Sequence, residues 1–271
     1  MGSPIIELAD VAKTFDSRAG ATEALRAVSL TVQAGEFVSI IGPSGCGKSS
    51  LLRIVGDLVE PSAGTVRVNG KSPRQARLDR DYGIVFQTPV LYEWRTVLDN
   101  VRLPLELAGR PRDERDERPR TLLRLVGLED FAGHHPWQLS GGMQQRVSIA
   151  RALALNPSIL LMDEPFGALD EMTRERLNQE LLQVCAETAA TALFVTHSIA
   201  EAVFLSSRIV VMSPRPGRIE RVVTVDLPRP RATKTRALPR FFELVTEVRQ
   251  SLREDAGLVG EPARSRRTGP R

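Results

Sequence analysis

The sequence predicts an α/β fold with a mixed core sheet, an N-terminal antiparallel β-subdomain and an inserted helical subdomain. Three observations carry that prediction. Short aliphatic runs alternate with longer helical patterns, one of those runs leads through a glycine-rich turn straight into a helix, and from about residue 96 to about 156 the pattern is helical without a good strand candidate. With 271 residues, 42% apolar and 26% charged, the chain is long enough for a sizeable core and too apolar for general disorder.

Along the chain, Glu36-Phe37-Val38-Ser39-Ile40-Ile41 is the first buried-strand candidate, followed by a glycine-rich turn and a helix over Lys48–Val55. Thr65–Val68 alternates in polarity before Asn69-Gly70, a hairpin signal that places antiparallel strands in the N-terminal part. Within the helical region, Arg110–Arg120 interleaves five arginines with four acids and reads as a solvated loop and helix start. Ser158–Met162, Ala192–Thr196 and Arg208–Met212 are further buried strands. Near the C-terminus Leu238, Phe241, Val245, Val248 and Leu252 form a helical stripe expected to dock on its own domain. The expected division is a main domain over 1–227 and a C-terminal segment over 228–271, comprising a basic linker, an amphipathic helix and a flexible tail.

The formal charge of +4 is concentrated at that end. Residues 228–240 carry Arg229, Arg231, Lys234, Arg236 and Arg240 without an acid, and Arg264, Arg266, Arg267 and Arg271 follow, so the rest of the chain is net acidic. A nucleic-acid binder would spread its basic surface over the fold, so no nucleic-acid partner is expected; these segments read as a solvated tail, with anionic lipid headgroups as the alternative partner. No apolar run approaches the roughly 18 residues that span a bilayer, and the N-terminus lacks a secretory pattern. Two cysteines, Cys46 and Cys185, fit a reducing compartment, so a cytoplasmic chain is expected.

Three constellations carry chemistry. Gly42-Pro43-Ser44-Gly45-Cys46-Gly47-Lys48-Ser49, followed by Ser50, matches the phosphate-loop pattern between a strand and a helix. Glycines let successive backbone N–H groups turn towards phosphate oxygens, Lys48 supplies a cation to the β- and γ-phosphates, and the Ser49 hydroxyl suits magnesium. Ile159–Met162 delivers Asp163 and Glu164 to the sheet edge where α/β folds bind ligands, one carboxylate for magnesium and one for the attacking water. Leu139-Ser140-Gly141-Gly142-Met143-Gln144-Gln145-Arg146 opens a second helix with an anion-binding start, which suggests service to a nucleotide held by another subunit; a plain helix cap is the alternative.

In this order and spacing these motifs resemble the ATP-binding subunit of an ABC transporter over roughly residues 4–225: the P-loop NTPase fold with Walker A at 42–49, the signature at 139–143 and Walker B at 159–163. The resemblance implies ATP and magnesium as ligands and further site residues. Gln87 resembles the Q-loop glutamine that touches magnesium, and His197 the switch histidine at the γ-phosphate. Asp170 resembles the D-loop aspartate. Phe15 resembles the aromatic that stacks on adenine, with a plain core Phe as the alternative, and Cys46 fills the loop. Ser140, Gly141, Gly142 and Gln144 would act on the nucleotide of a second copy in a homodimer. The stretches Trp94–Val101, Met162–Arg174 and Val211–Ile219 look like the importer branch for nitrate, sulfonate, taurine and related solutes. That implies transmembrane permease subunits, an indirect solute-binding protein and a place at the cytoplasmic face of the membrane; a soluble ABC ATPase acting on ribosome or DNA is the alternative. Ser50 for the usual Thr and Gly56-Asp57-Leu58 for Ala-Gly-Leu are the departures, and neither removes a catalytic group.

Overall fold

The computed structural model of the protein describes residues 3–17, 20–167 and 169–254. Ile6–Ser17 (β1) and Gly20–Val32 (β2) form a long antiparallel pair. Phe37–Ile41 (β3) and Lys48–Val55 (α1) follow, and Ala63–Val68 (β4) returns to pair antiparallel with β1, completing a three-stranded sheet of order β2-β1-β4. After Pro73–Leu78 (α2) and Tyr82–Val85 (β5) come Val97–Leu107 (α3), Arg112–Leu125 (α4) and Gly141–Ala152 (α5). Strands and helices then alternate through Ile159–Asp163 (β6), Glu171–Thr188 (α6), Thr191–Val195 (β7), Ile199–Leu205 (α7), Arg208–Met212 (β8), Ile219–Thr224 (β9) and Pro239–Glu254 (α8).

The six-stranded sheet has the order β5-β6-β7-β3-β8-β9 and is parallel except for β9, which pairs antiparallel with β8. Every residue of β3, β6 and β7 is buried, as parallel strands covered on both faces must be. The pleat sorts them: Leu160, Met162 and Phe194 face the helices, while Ile159, Leu161 and Val195 face α1 and the antiparallel sheet. Val97, Val101 and Leu105 of α3 and Leu122 of α4 join the former cluster, so the helical subdomain shares the core of that face.

Parallel strands run in one direction, so their carboxyl ends lie along one edge. In spatial order that edge carries Gln87 after β5, Asp163 and Glu164 at the end of β6, His197 after β7, the phosphate loop after β3 and the turn 213–218 after β8.

Two expectations change. Asn69-Gly70 does make a tight turn, with φ of 52° and 71° and a Val68–Lys71 bridge, but no second hairpin strand follows. Ser72 accepts a hydrogen bond from the Gln75 N–H and Pro73 opens α2, so helix-start chemistry wins over the hairpin. The basic segment 228–240 is also not simply solvated. Arg231 is buried and donates to the carbonyls of Val203 (3.2 Å) and Phe204 (2.7 Å), the last turn of α7, and Arg236 lies 4.1 Å from the Phe204 ring centroid. Burial, with Arg229 nearby, pushes the Arg231 guanidinium down to about 10, still charged at neutral pH. Helix α8 packs on α7 and β8 through Phe241, Leu244 and Val248, so Leu244 belongs to the buried stripe while Val245 is half-buried. The arginine-rich end at 261–271 lies outside the described residues.

Candidate functional site

Helix α1 begins at Lys48 with no side-chain cap and no acid in its first turn, whereas Thr96, Ser140, Asp170 and Ser198 cap α3, α5, α6 and α7. The first N–H groups of α1 are therefore left for an anion, helped by the positive end of the helix dipole. Gly47 makes the entry with φ 104°, and a β-carbon there would sit 2.8 Å from the Ala24 carbonyl oxygen. Lys48 is buried, and its ammonium donates to the Gly42 and Pro43 carbonyls at 2.8 and 3.0 Å. Cys46 is fully buried with its sulfur 3.9 Å from that ammonium, which is a packing role. A 320 Å3 pocket opens beside the loop, lined among others by Phe15, Ser44, Lys48, Ser49, Glu164 and Arg215. Phe15 is 40% exposed, with the Lys13 ammonium 5.0 Å from its ring centroid, so it is a pocket wall and not a core residue.

Across the loop stands the acidic side. The Ser49 hydroxyl donates to Asp163 Oδ1 at 2.7 Å. Burial pushes the Asp163 carboxyl up from the ordinary carboxylate range, and the Ser49 hydrogen bond opposes that shift. These two hard oxygen donors could hold magnesium beside substrate phosphates. No cluster of three His, Cys, Asp or Glu that could hold a metal gathers among the described residues, and magnesium characteristically takes one or two protein oxygens plus phosphate.

The Glu164 N–H still pairs with the Val195 carbonyl, but its φ of +45° turns the chain and aims the carboxylate at His197, 3.3 Å from Oε2 to Nδ1. A left-handed non-glycine residue costs about 1–2 kcal/mol, and strain of this kind persists only where the surroundings hold it. His197 is braced from behind. The Thr196 hydroxyl donates to the buried Glu201 carboxylate and accepts the Ser198 N–H at 3.0 Å, and Arg231 caps the far end of the same helix. Burial pushes the Glu201 carboxyl up, against the Thr196 hydrogen bond. Gln87 is exposed at the end of β5.

Ser140, Gly141, Gly142 and Gln144 fall outside this pocket's lining. Ser140 caps α5 by accepting the Met143 N–H, Ser140 and Gly141 are exposed, and Gly142 packs against Thr173 and Leu177 of α6. Gln144 is turned back on its own subdomain, donating to the Pro136 and Leu139 carbonyls at 3.0 and 3.3 Å. Asp170 caps α6 by accepting the Thr173 N–H, and that bond holds its carboxyl below the usual range.

Residues 25–167 match the ABC transporter family model. The chain belongs to the ABC transporter ATP-binding family. It is 48% identical to the taurine import ATP-binding protein TauB of Rhizobium johnstonii, covering 88% of this chain and 92% of that protein. It is 41% identical to the nitrate import ATP-binding protein NrtD of Synechocystis, covering 92% and 95%. The dimeric ATP-binding cassette MJ0796, solved in a post-hydrolysis state bound to ADP and Pi, superimposes with a TM-score of 0.73 at 41% identity, over 81% of this chain and 98% of that one. As an ABC ATPase the chain binds and hydrolyses ATP.

Two features of this ABC ATPase escape the sequence reading. Gln145, buried on α5, donates to the Phe86 carbonyl at 3.1 Å and so ties the signature helix to the residue before Gln87. Its sequence signal is a polar residue on the Gly142, Gln145, Ile149 stripe, where helix spacing demands burial. The other is Gly217, whose N–H donates to the Ala24 carbonyl while its own carbonyl accepts the Arg26 N–H. A β-carbon there would lie 1.9 Å from the Cys46 carbonyl oxygen. Gly217→Ala must therefore displace the phosphate loop, and we expect about 1–3 kcal/mol lower stability together with weaker ATP binding, checked by thermal unfolding and nucleotide titration.

Proposed function

We propose that the chain is the ATP-hydrolysing subunit of an importer for a small solute of the nitrate, sulfonate or taurine kind, working as a homodimer on permease subunits at the cytoplasmic face of the membrane. The observation that carries the hydrolytic half is the convergence of Phe15, Lys48, Ser49 and Glu164 on one pocket. The backbone N–H groups of residues 44, 45 and 47–50, with the Lys48 ammonium, hold the phosphates, and Phe15 stacks on adenine. Ser49, Asp163 and Gln87 would hold magnesium, which when bound would supply positive charge to the phosphates. Glu164 takes the proton of the attacking water, and His197, oriented by that carboxylate, meets the charge developing on the γ-phosphate. Ser140, Gly141 and Gly142 close over the nucleotide of the other copy, with Asp170 at the seam.

A 480 Å3 groove between β5 and α3 supports the transport half. Its walls include Leu58, Tyr82, Phe86, Val90, Tyr92 and Leu107, of which Leu107 is 75% exposed. Phe86 is the carbonyl partner of Gln145 and precedes Gln87, so an occupant would press on the segment that leads into the ATP site. No helix among the described residues is long and apolar enough to cross a membrane. The occupant this reading requires is a short cytoplasmic helix of a permease. The tagged chain is expected to capture a polytopic permease from detergent-solubilised membranes, and Leu107→Glu to lose it. Capture of ribosomal or DNA-repair proteins without a permease would overturn the importer reading.

A further inference from the structure

One cation in the nucleotide pocket has no role in the scheme above. Arg215 lies in the turn between β8 and β9, and β8 is the direct neighbour of β3, with Ile41 opposite Val211. Its turn therefore emerges beside the phosphate loop at the same sheet edge. The Arg215 Nε–H donates to the Gly45 carbonyl at 3.1 Å, and its Nη2 lies 3.1 Å from where a β-carbon on Gly45 would be. The guanidinium thus rests against the phosphate loop three residues before Lys48, with its Nη groups bonded to no other described residue. Its anchorage is firm: the Ser213 hydroxyl donates to the Pro214 and Pro216 carbonyls and accepts the Arg218 N–H, and Gly217 is clamped between Ala24 and Cys46.

We propose that Arg215 is a second cation for the nucleotide's polyphosphate, contacting it from the outer lip of the loop while Lys48 serves it from within. This rests on the reading of the pocket as the ATP site. The nearby charges favour the role. Glu164 is the acid in the lining, Lys48 spends two of its three N–H donors on its own loop's carbonyls, and a triphosphate brings several negative charges. A guanidinium with one N–H on a carbonyl keeps four donors in a fixed plane suited to phosphate oxygens. The contact reaches ground state and transition state alike, so it acts on affinity and not on the chemical step.

The test is titration of the purified full chain and its Arg215→Ala, Arg215→Lys and Arg215→Gln variants with ATP and ADP, with magnesium present, alongside steady-state ATPase kinetics. Arg215 is exposed, so the variants should keep the unfolding temperature of the parent. Loss of a charge-assisted contact should raise Kd for both nucleotides, and KM, by about five- to twentyfold in the alanine variant, with kcat unchanged within about twofold. Lysine should restore most of the affinity. Glutamine retains a donor for the Gly45 carbonyl but no charge, and should behave like alanine. Parental Kd in the alanine variant overturns the proposal, and so does parental Kd in the glutamine variant, which would reduce Arg215 to a pin for the loop. Failure of the unmodified chain to bind ATP would overturn the pocket reading itself, and this proposal with it.

Discussion

Glu164→Gln is expected to abolish ATP turnover while leaving ATP bound. Glutamine is isosteric, tolerates the +45° φ as glutamate does, and keeps an oxygen facing His197 Nδ1 at the 3.3 Å now spanned by Oε2. What it loses is the capacity to accept a proton from water, a contribution of about 10²–10⁴ in rate. Asp163 and Ser49, the hydrogen-bonded pair proposed to hold magnesium, are untouched, so affinity for ATP with magnesium should stay within about threefold of the parent. In the proposed homodimer uncleaved ATP would keep the two copies closed around it, so the variant should also shift to the dimer when ATP is added. Phosphate release, nucleotide titration and size-exclusion chromatography read the three outcomes. Normal turnover would remove Glu164 from the mechanism and point to Asp163 or His197 as the group handling the water.

The difference between what sequence alone reveals and what it hides follows the range of the interactions. The phosphate loop is contiguous, its strand and helix are its immediate neighbours, and Lys48–Val55 and Arg208–Met212 fall at the predicted boundaries. Walker B is equally local. The Glu164–His197 contact depends on β6 and β7 pairing so that Asp163 lies opposite Val195; the family resemblance implied a role for each residue but not that pairing. Arg231 is hidden for a related reason. Composition registers a basic segment, but the demand that buries its guanidinium is set by the carbonyls of Val203 and Phe204 at the end of α7, far away in sequence. Strand β9 buries only Val223 along its length, as a sheet edge with one covered face does, so its pattern carried too little signal to be expected. Helix α6 is not among the expected elements either, although it carries a readable stripe at Leu177, Leu181 and Val184. Arg215 has no periodicity at all to declare it: its place in the pocket is a consequence of β8 lying beside β3.

The placement of the signature outside its own chain's pocket leads to the other large effect. Lys48→Ala removes the cation of the phosphate loop, and Gly141→Asp puts a carboxylate on the exposed start of α5. The aspartate suits the helix dipole, so the fold should hold, yet it fills the anion site that would otherwise meet a γ-phosphate. Each variant alone should lack ATPase activity. Mixed together, they should regain it, because a mixed dimer joins the intact loop of the Gly141→Asp copy to the intact signature of the Lys48→Ala copy. Random assortment gives one sound site in half of the dimers, up to about a quarter of the parental rate. If the signature instead served the nucleotide of its own chain, every site in the mixture would carry one defect and no activity would return. Phosphate release from the two variants, separate and combined, therefore decides between the two arrangements.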